Sequence, residues 1–439
     1  MAMKTFRSTL LLMLVATLFA QCTKDELMKD ELDAAQQKKS ARSDHAPGGS
    51  FMVTIENVST AYDYFAAGAQ FVPDGESDPG PAFPGQSFTV KFHAGKGHRL
   101  SFATMYGASN DLFYAPSDEG ISLFNNGTPT TGNITGMISL WDAGTEVNHA
   151  PASGEDGAEE SVTVQSVRNT DNIMDGFAYN NVEENVEVWL DYDGTSLFTL
   201  TIKDLTGSST PLSPVAWVVH YDSQKPIYTE GALDYGHGLE ALAETGNAVQ
   251  LSEYLASMSG YVSPVAPGVW VVHKHGQKPI FKEGKPEYGN GLEMLSEVGD
   301  PTMVYESLQA EGYETGVYNT PEDEINAGPL FPGETYSFVF EANVGDYLSF
   351  ASMLGKSNDL FFAPSDMGIR LFNGTTPVSG DITGQVMLWD AGTEANEYPG
   401  AGINQGPGGD DVSEDVMIVN DGLPWPEVPQ VIKVTIMPM

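Results

Sequence analysis

Two stretches of the chain read Trp-Asp-Ala-Gly-Thr-Glu, at 141–146 and 389–394, and each is preceded by a Ser-Asn-Asp triplet, at 109–111 and 357–359. Carboxylates are hard oxygen donors, and Ca2+ takes about six to eight oxygens at roughly 2.3–2.6 Å from carboxylates, carbonyls and water. Asp142 and Glu146 share one loop, and Gly144 between them lets the backbone turn tightly enough to aim both at one point. Asp111 is the natural third ligand. The second copy repeats the set as Asp359, Asp390 and Glu394, so the expectation is two equivalent calcium sites. Asn110, Asn358, Asp118 and Asp366 are lesser oxygen donors nearby in sequence.

Other chemistry is open to the same residues. Asp side chains also close turns through Asx-type hydrogen bonds, and duplication would copy a turn as faithfully as a metal site. A glycosidase-type hydrolase needs two acids about 5–10 Å apart, but nothing in the sequence marks one of these acids as proton-bearing. His220 and His273 could ligate zinc or act as bases. Each ends a Trp-Val-Val run, which favours a hydrogen-bonded structural imidazole. Glycine-rich phosphate loops, nucleophile elbows and zinc-helix motifs are absent from the sequence. A non-catalytic protein is the expectation, with a surface hydrolase acting on polysaccharide or peptide as the alternative.

These loops must be carried by strands. Short runs alternate apolar and polar residues at Phe51 to Val58, Ser87 to Phe92, Arg99 to Thr104 and Met137 to Trp141, which is the period of half-buried strands. A constant offset of 248 residues superposes Phe83-Pro-Gly on Phe331-Pro-Gly and Trp141 on Trp389. From Ser109 to Glu146 the two copies agree at about 27 of 38 positions. A period this long means whole duplicated domains rather than a solenoid. Trp141 and Trp389 each end an apolar strand and are expected to anchor the core.

Closing strands at Val186 to Tyr192 and Val431 to Ile436 bound the copies. Leu197 to Leu205 resembles the opening strand at Phe51, so the expected domains are 51–194 and 196–439. A second repeat lies inside the latter. Trp217-Val-Val-His220 recurs as Trp270-Val-Val-His273, and Gly238-Leu-Glu recurs as Gly291-Leu-Glu, which suggests a duplicated α/β insert at about 211–312 with short helices. The expected fold is mainly β: two tandem antiparallel β-sandwiches, the second carrying the insert.

Ser-Asn-Asp-Leu-Phe, Gly-Ile-x-Leu-Phe and Leu-Trp-Asp-Ala-Gly-Thr-Glu occur in this order in both copies, and the ordered set resembles the N-terminal domain of the spondins, and more closely the bacterial lipoproteins and secreted proteins that carry it. That resemblance implies a C2-like sandwich with calcium held in the loops at one end, on the six carboxylates named above, and a role in adhesion. The chain lacks the cysteines of the animal forms and their thrombospondin-type repeats.

With 60 Asp and Glu against 20 Lys and Arg, the formal charge is -40, which repels phosphate backbones and argues against nucleic-acid partners. Lys4 and Arg7 precede an apolar run from Thr9 to Ala20, and Cys22, the single cysteine, follows at once. This resembles a lipoprotein signal through Cys22, with Cys22 lipidated and residues 23–50 a charged flexible tether. The start after Cys22 is similar to a surface-export tag. The chain is therefore expected to be an outer-membrane lipoprotein exposed at the cell surface. Its membrane contact would be the lipid alone, and its partner an extracellular glycan or protein.

Overall fold

The alternation seen in the sequence becomes burial in the structure. Along Gly48–Asn57 the side chains of Phe51, Val53, Ile55 and Asn57 turn inward, and along Leu197–Asp204 those of Phe198, Leu200, Ile202 and Asp204 do the same. The computed structural model describes residues 48–151, 165–174, 176–179, 181–205, 207–208, 210–405, 409 and 411–439. The signal segment, Cys22 and the tether up to residue 47 lie outside the described residues, as does the acidic stretch at 155–160. Residues 48–50, assigned to the tether, instead begin the first strand. Gly49–Met439 forms one compact unit.

The fold is mainly β and antiparallel, in two sandwiches. In the first, a four-stranded sheet in the order Ser87–His93, Leu197–Asp204, Val186–Tyr192, Gly132–Asn133 faces a seven-stranded sheet. The larger sheet runs Arg168–Asn169, Ile138–Asp142, Leu112–Pro116, His98–Met105, Val215–Tyr221, Ala66–Gln70, with Ile121–Ser122 beside its fourth strand. Phe88, Phe92, Phe102, Tyr114, Leu190 and Phe198 fill the space between them. The second sandwich repeats this plan. Its small sheet runs Thr335–Asn343, Gly48–Asn57, Ile432–Pro438, Gly380–Asp381, and its large one includes Val265–Lys274, Asp346–Leu354, Leu360–Pro364 and Val386–Asp390.

This pairing divides the chain differently from the sequence boundary at 194/196. The strand at Leu197–Asp204 does not open the second sandwich. It forms a hairpin with Val186–Tyr192, with Trp189 opposite Thr201, and completes the first. The opening strand Gly48–Asn57 crosses instead to the second sandwich, where Val53 lies opposite Ile436. Local chemistry explains the exchange. Asp193 Oδ1 accepts hydrogen bonds from the amides of Thr195, Ser196 and Leu197, so the turn folds the chain straight back, and a short loop closes at less entropic cost than a long one.

The duplicated insert is likewise shared rather than confined to one domain. Val215–Tyr221, with the first Trp-Val-Val-His, pairs with His98–Met105 of the first sandwich, and Val265–Lys274, with the second, pairs with Asp346–Leu354. Helices Leu239–Thr245 and Val249–Ser257 cover the outer face of the first large sheet, and Leu292–Val298 and Thr302–Ala310 cover the second. Each copy is thus a sheet, a sheet and a helical layer. The first sandwich, its ends joined by a bridge between Tyr64 and Ser259, lies in sequence between the opening strand and the remainder of the second. Among the described residues no helix is long and apolar enough to cross a membrane.

Candidate metal centre

Trp141 and Trp389 fix the strands that deliver the acidic loops. Both are buried beneath the helical layer, and their indole N–H groups donate to the carbonyls of Ala115 (3.2 Å) and Ala363 (3.1 Å). In each copy the chain then turns on the Asp that follows. Asp142 Oδ1 accepts from Gly144 N at 2.6 Å, and Asp390 Oδ1 from Gly392 N at 2.7 Å. Gly144 has φ +73°, and a Cβ there would lie 2.5 Å from the Gln165 carbonyl oxygen, so the loop needs glycine on both counts.

The third carboxylate clasps the same loop. Asp111 Oδ2 accepts from the amides of Thr145 (2.9 Å) and Glu146 (3.1 Å), and Asp359 Oδ2 from those of Thr393 (2.8 Å) and Glu394 (3.1 Å). The turn-capping reading is therefore correct for one oxygen of each Asp, and the structure gathers all three acids of each copy about one loop. The remaining oxygens decide what else the site does.

In the second copy Asp359 Oδ1, Glu394 Oε2 and Asn396 Oδ1 are buried and have no hydrogen-bond donor among the described residues. Asp359 is fully buried and Glu394 is 2% exposed. Leaving a charged oxygen out of water without a partner costs several kcal/mol or more, and the protonation equilibria record that cost. Burial, then the backbone hydrogen bonds opposing it, leaves the Asp359 carboxyl raised. Burial and the neighbouring Asp359 charge raise Asp390. Burial pushes Glu394 up to about 7, helped by Glu297, Asp359 and Asp411. A divalent cation would supply the missing countercharge.

The first copy differs in one decisive contact. Arg168 Nη2 donates to Asp142 Oδ2 at 2.7 Å, beside Asn148 Nδ2 at 2.9 Å. The strand register that sets Arg168 opposite Asp142 sets Met417 opposite Asp390. Asp390 Oδ2 accepts from Asn396 at 2.7 Å, and no Lys or Arg bonds to it among the described residues. Asp111 Oδ1 is also buried without a donor, and burial, then the Asp142 charge, raises its carboxyl. The first site thus carries a built-in cation and the second does not, so the two are not equivalent. Sequence reasoning missed Arg168 because it lies in no motif; only the cross-strand register finds it.

Of the lesser candidates, Asp118 and Asp366 are committed to ion pairs, and Asn110 and Asn358 to hydrogen bonds beside the loops. Asp118 pairs with Lys225 at 2.8 Å and accepts from Glu230 N, and Asp366 pairs with Lys278 and accepts from Glu283 N, so both tie the helical unit to the large sheet. Asn110 Nδ2 donates to Glu146 Oε2 at 3.3 Å, while Asn358 Oδ1 accepts from Glu397 N at 3.0 Å. Among the described residues no three His, Cys, Asp or Glu side chains already stand in liganding geometry.

His220 and His273 are structural. Each Nδ1 faces a backbone carbonyl, which can only accept, so Nδ1 carries the proton. Each Nε2 then accepts from a serine hydroxyl, Ser101 or Ser349, at 2.9 Å. Burial lowers both and brings His220 to about 4, so the rings are neutral and committed. No protein-family model matches the chain, and no curated protein matches it either.

Proposed function

We propose that the chain is a surface-tethered, calcium-stabilised binding or adhesion protein without catalytic activity, with the second acidic loop as its principal calcium site. The observation that carries the calcium part is the set of buried acceptor oxygens without donors on Asp359, Glu394 and Asn396, with no basic side chain bonded to them among the described residues. These are hard neutral or anionic oxygens of the kind Ca2+ selects, and carbonyls and water would complete the shell. The resemblance of the ordered motifs to spondin N-terminal domains supports the same reading, as does the signal-like start for attachment at the surface through Cys22.

The hydrolase alternative has less support. Raised carboxyls are what an acid catalyst needs, but a catalyst must also face substrate. The cavities between the sandwiches and beside Met105 are lined by none of the six carboxylates. Calorimetric titration of the full chain with Ca2+ tests the proposal, with Asp390→Asn beside it. Heat and a raised unfolding temperature in the parent, both lost in the variant, support it. No heat in either refutes the metal reading, and turnover on a polysaccharide or peptide panel refutes the non-catalytic one.

A further inference from the structure

The two sandwiches meet along a face whose chemistry differs from the rest of the protein. The second sandwich reaches across with the segment that follows its acidic loop. Tyr398 stacks on His93 with ring centroids 3.6 Å apart, Ala401 is buried in the first sandwich's core, and Gly402 bridges to Gly95. Glu397 braces this segment by accepting from the amides of Ile403 (3.1 Å) and Asn404 (2.9 Å). Tyr261 closes one side by donating its hydroxyl to the Lys356 carbonyl at 3.0 Å.

Two cavities lie along this seam. The first chamber, about 320 Å³, is walled by Trp217, His93, Tyr261 and Tyr398, with Lys91 also in its lining. That volume is at the lower end of the roughly 300–1,000 Å³ of small-ligand sites. A second chamber of about 220 Å³ is lined by the next residues of the same hairpin and loop, including Lys96, His98, Tyr221 and Lys356. Lys356 Nζ sits 2.6 Å from the Tyr221 hydroxyl and 4.4 Å above that ring. None of Lys91, Lys96 and Lys356 forms an ion pair with a carboxylate among the described residues. In a chain with three acids to every base, three lysines without an ion pair thus meet at one seam.

The internal repeat shows how local this is. At the offset of 248 residues, Lys91, His93, Lys96 and His98 correspond to Val339, Glu341, Val344 and Asp346. Trp217 is half-buried at the cleft, while its counterpart Trp270 is only 9% exposed. The first hairpin therefore departs from its twin at all four of these positions, each time toward a nitrogen-bearing side chain. Donors and aromatic faces dominate the lining. A ligand that fits presents a flat apolar face to the rings and an anionic group to the lysines. A pyranose ring bearing a carboxylate has both.

We propose that this seam is a binding site for acidic saccharides, uronate-containing oligosaccharides in particular. The proposal deepens the reading of the chain as a binding protein by naming its ligand class. The long-range field of the acidic chain opposes anions, but screening confines that field to about 8 Å at physiological salt, so the lysines govern the contact. Binding is then short-range and suited to small oligosaccharides.

The test is calorimetric titration of the full chain with a galacturonate trisaccharide, with a neutral glucose trisaccharide as control. Both are run in chelator, so that the acidic loops take no part. The variants are Lys91→Ala, at an exposed side chain, and Tyr398→Phe and Tyr398→Ala, which separate the hydroxyl from the ring. Expected are 1:1 binding of the acidic sugar, at least tenfold tighter than the neutral one, a loss of fivefold or more in Lys91→Ala and Tyr398→Ala, and retention in Tyr398→Phe. Thermal unfolding of each variant checks that it folds. No binding of the acidic sugar, equal binding of the neutral one, or unchanged affinity in a folded Lys91→Ala overturns the site and leaves the calcium reading standing. Cleavage of the trisaccharide, seen by mass spectrometry, overturns the non-catalytic reading instead.

Discussion

Replacing Met417 with Arg should give the second acidic loop the cation that the first already has. Met417 lies opposite Asp390 as Arg168 lies opposite Asp142, so the new guanidinium falls at the place from which Arg168 reaches Asp142 Oδ2 at 2.7 Å. Hydrogen bonds to charged groups net about 1.5–3 kcal/mol. Met417 is 46% exposed, so solvent screening reduces the expected gain in chelator to about 1 kcal/mol. The larger effect is on the calcium response. At about a hundredfold excess over the dissociation constant, a ligand specific to the folded state adds about 2.7 kcal/mol. For a unit of about 150–250 residues, 1 kcal/mol moves the unfolding midpoint by roughly 2–4 °C. The parent should thus gain roughly 5–11 °C on adding Ca2+, and Met417→Arg less than about 2 °C while starting slightly higher in chelator. The assay is thermal unfolding of both proteins in chelator and in saturating Ca2+. A Met417→Arg protein that keeps the full calcium shift would refute the reasoning, because an occupied Asp390 would then not matter.

Three further outcomes follow from the same geometry. Arg168→Met should lower the unfolding midpoint in chelator, since it strips the countercharge from buried Asp142, and should create a calcium response in the first sandwich readable by hydrogen exchange at 138–146. Glu394→Gln should be neutral at acid pH and stabilising in chelator above pH 7. The folded carboxyl, raised from 4.5 to about 7, binds more protons than the unfolded one between those values, so the parent loses stability as pH rises through that window while Gln does not titrate; urea melts at pH 4.5 and 8 measure the difference. Deleting residues 48–57 should expose the amides of 432–438 and 335–343 to hydrogen exchange and leave 186–204 protected, because the opening strand belongs to the second sandwich.

Alternation and duplication made the strands, the turns and the six carboxylates legible in the sequence. The assignment of strands to sandwiches was not. Phe51 to Val58 and Leu197 to Leu205 carry the same alternating pattern, so pattern alone cannot say which sheet takes which. The choice lies in Asp193, whose carboxylate folds the chain into a hairpin, in a segment that reads as a boundary because boundaries and hairpins share turn residues. The unequal charge of the two loops was hidden for a related reason. Arg168 meets Asp142 across a strand pair, and at the 248-residue offset it aligns with Val416, while the residue that takes its place across the strand pair is Met417. The helical layer was seen as short helices, but its split between copies depends on which sheet each Trp-Val-Val-His strand joins.

The calcium claim is tested most directly by titrating the full chain with Ca2+ in a calorimeter at pH 7.5, next to Asp390→Asn and Asp142→Asn. One dominant site per chain is expected, abolished by Asp390→Asn and retained in Asp142→Asn, with proton release on binding because Glu394 is near half-protonated at neutral pH. Equal loss from both variants would contradict the inequality of the two loops. An absence of heat in the parent would contradict the calcium site itself.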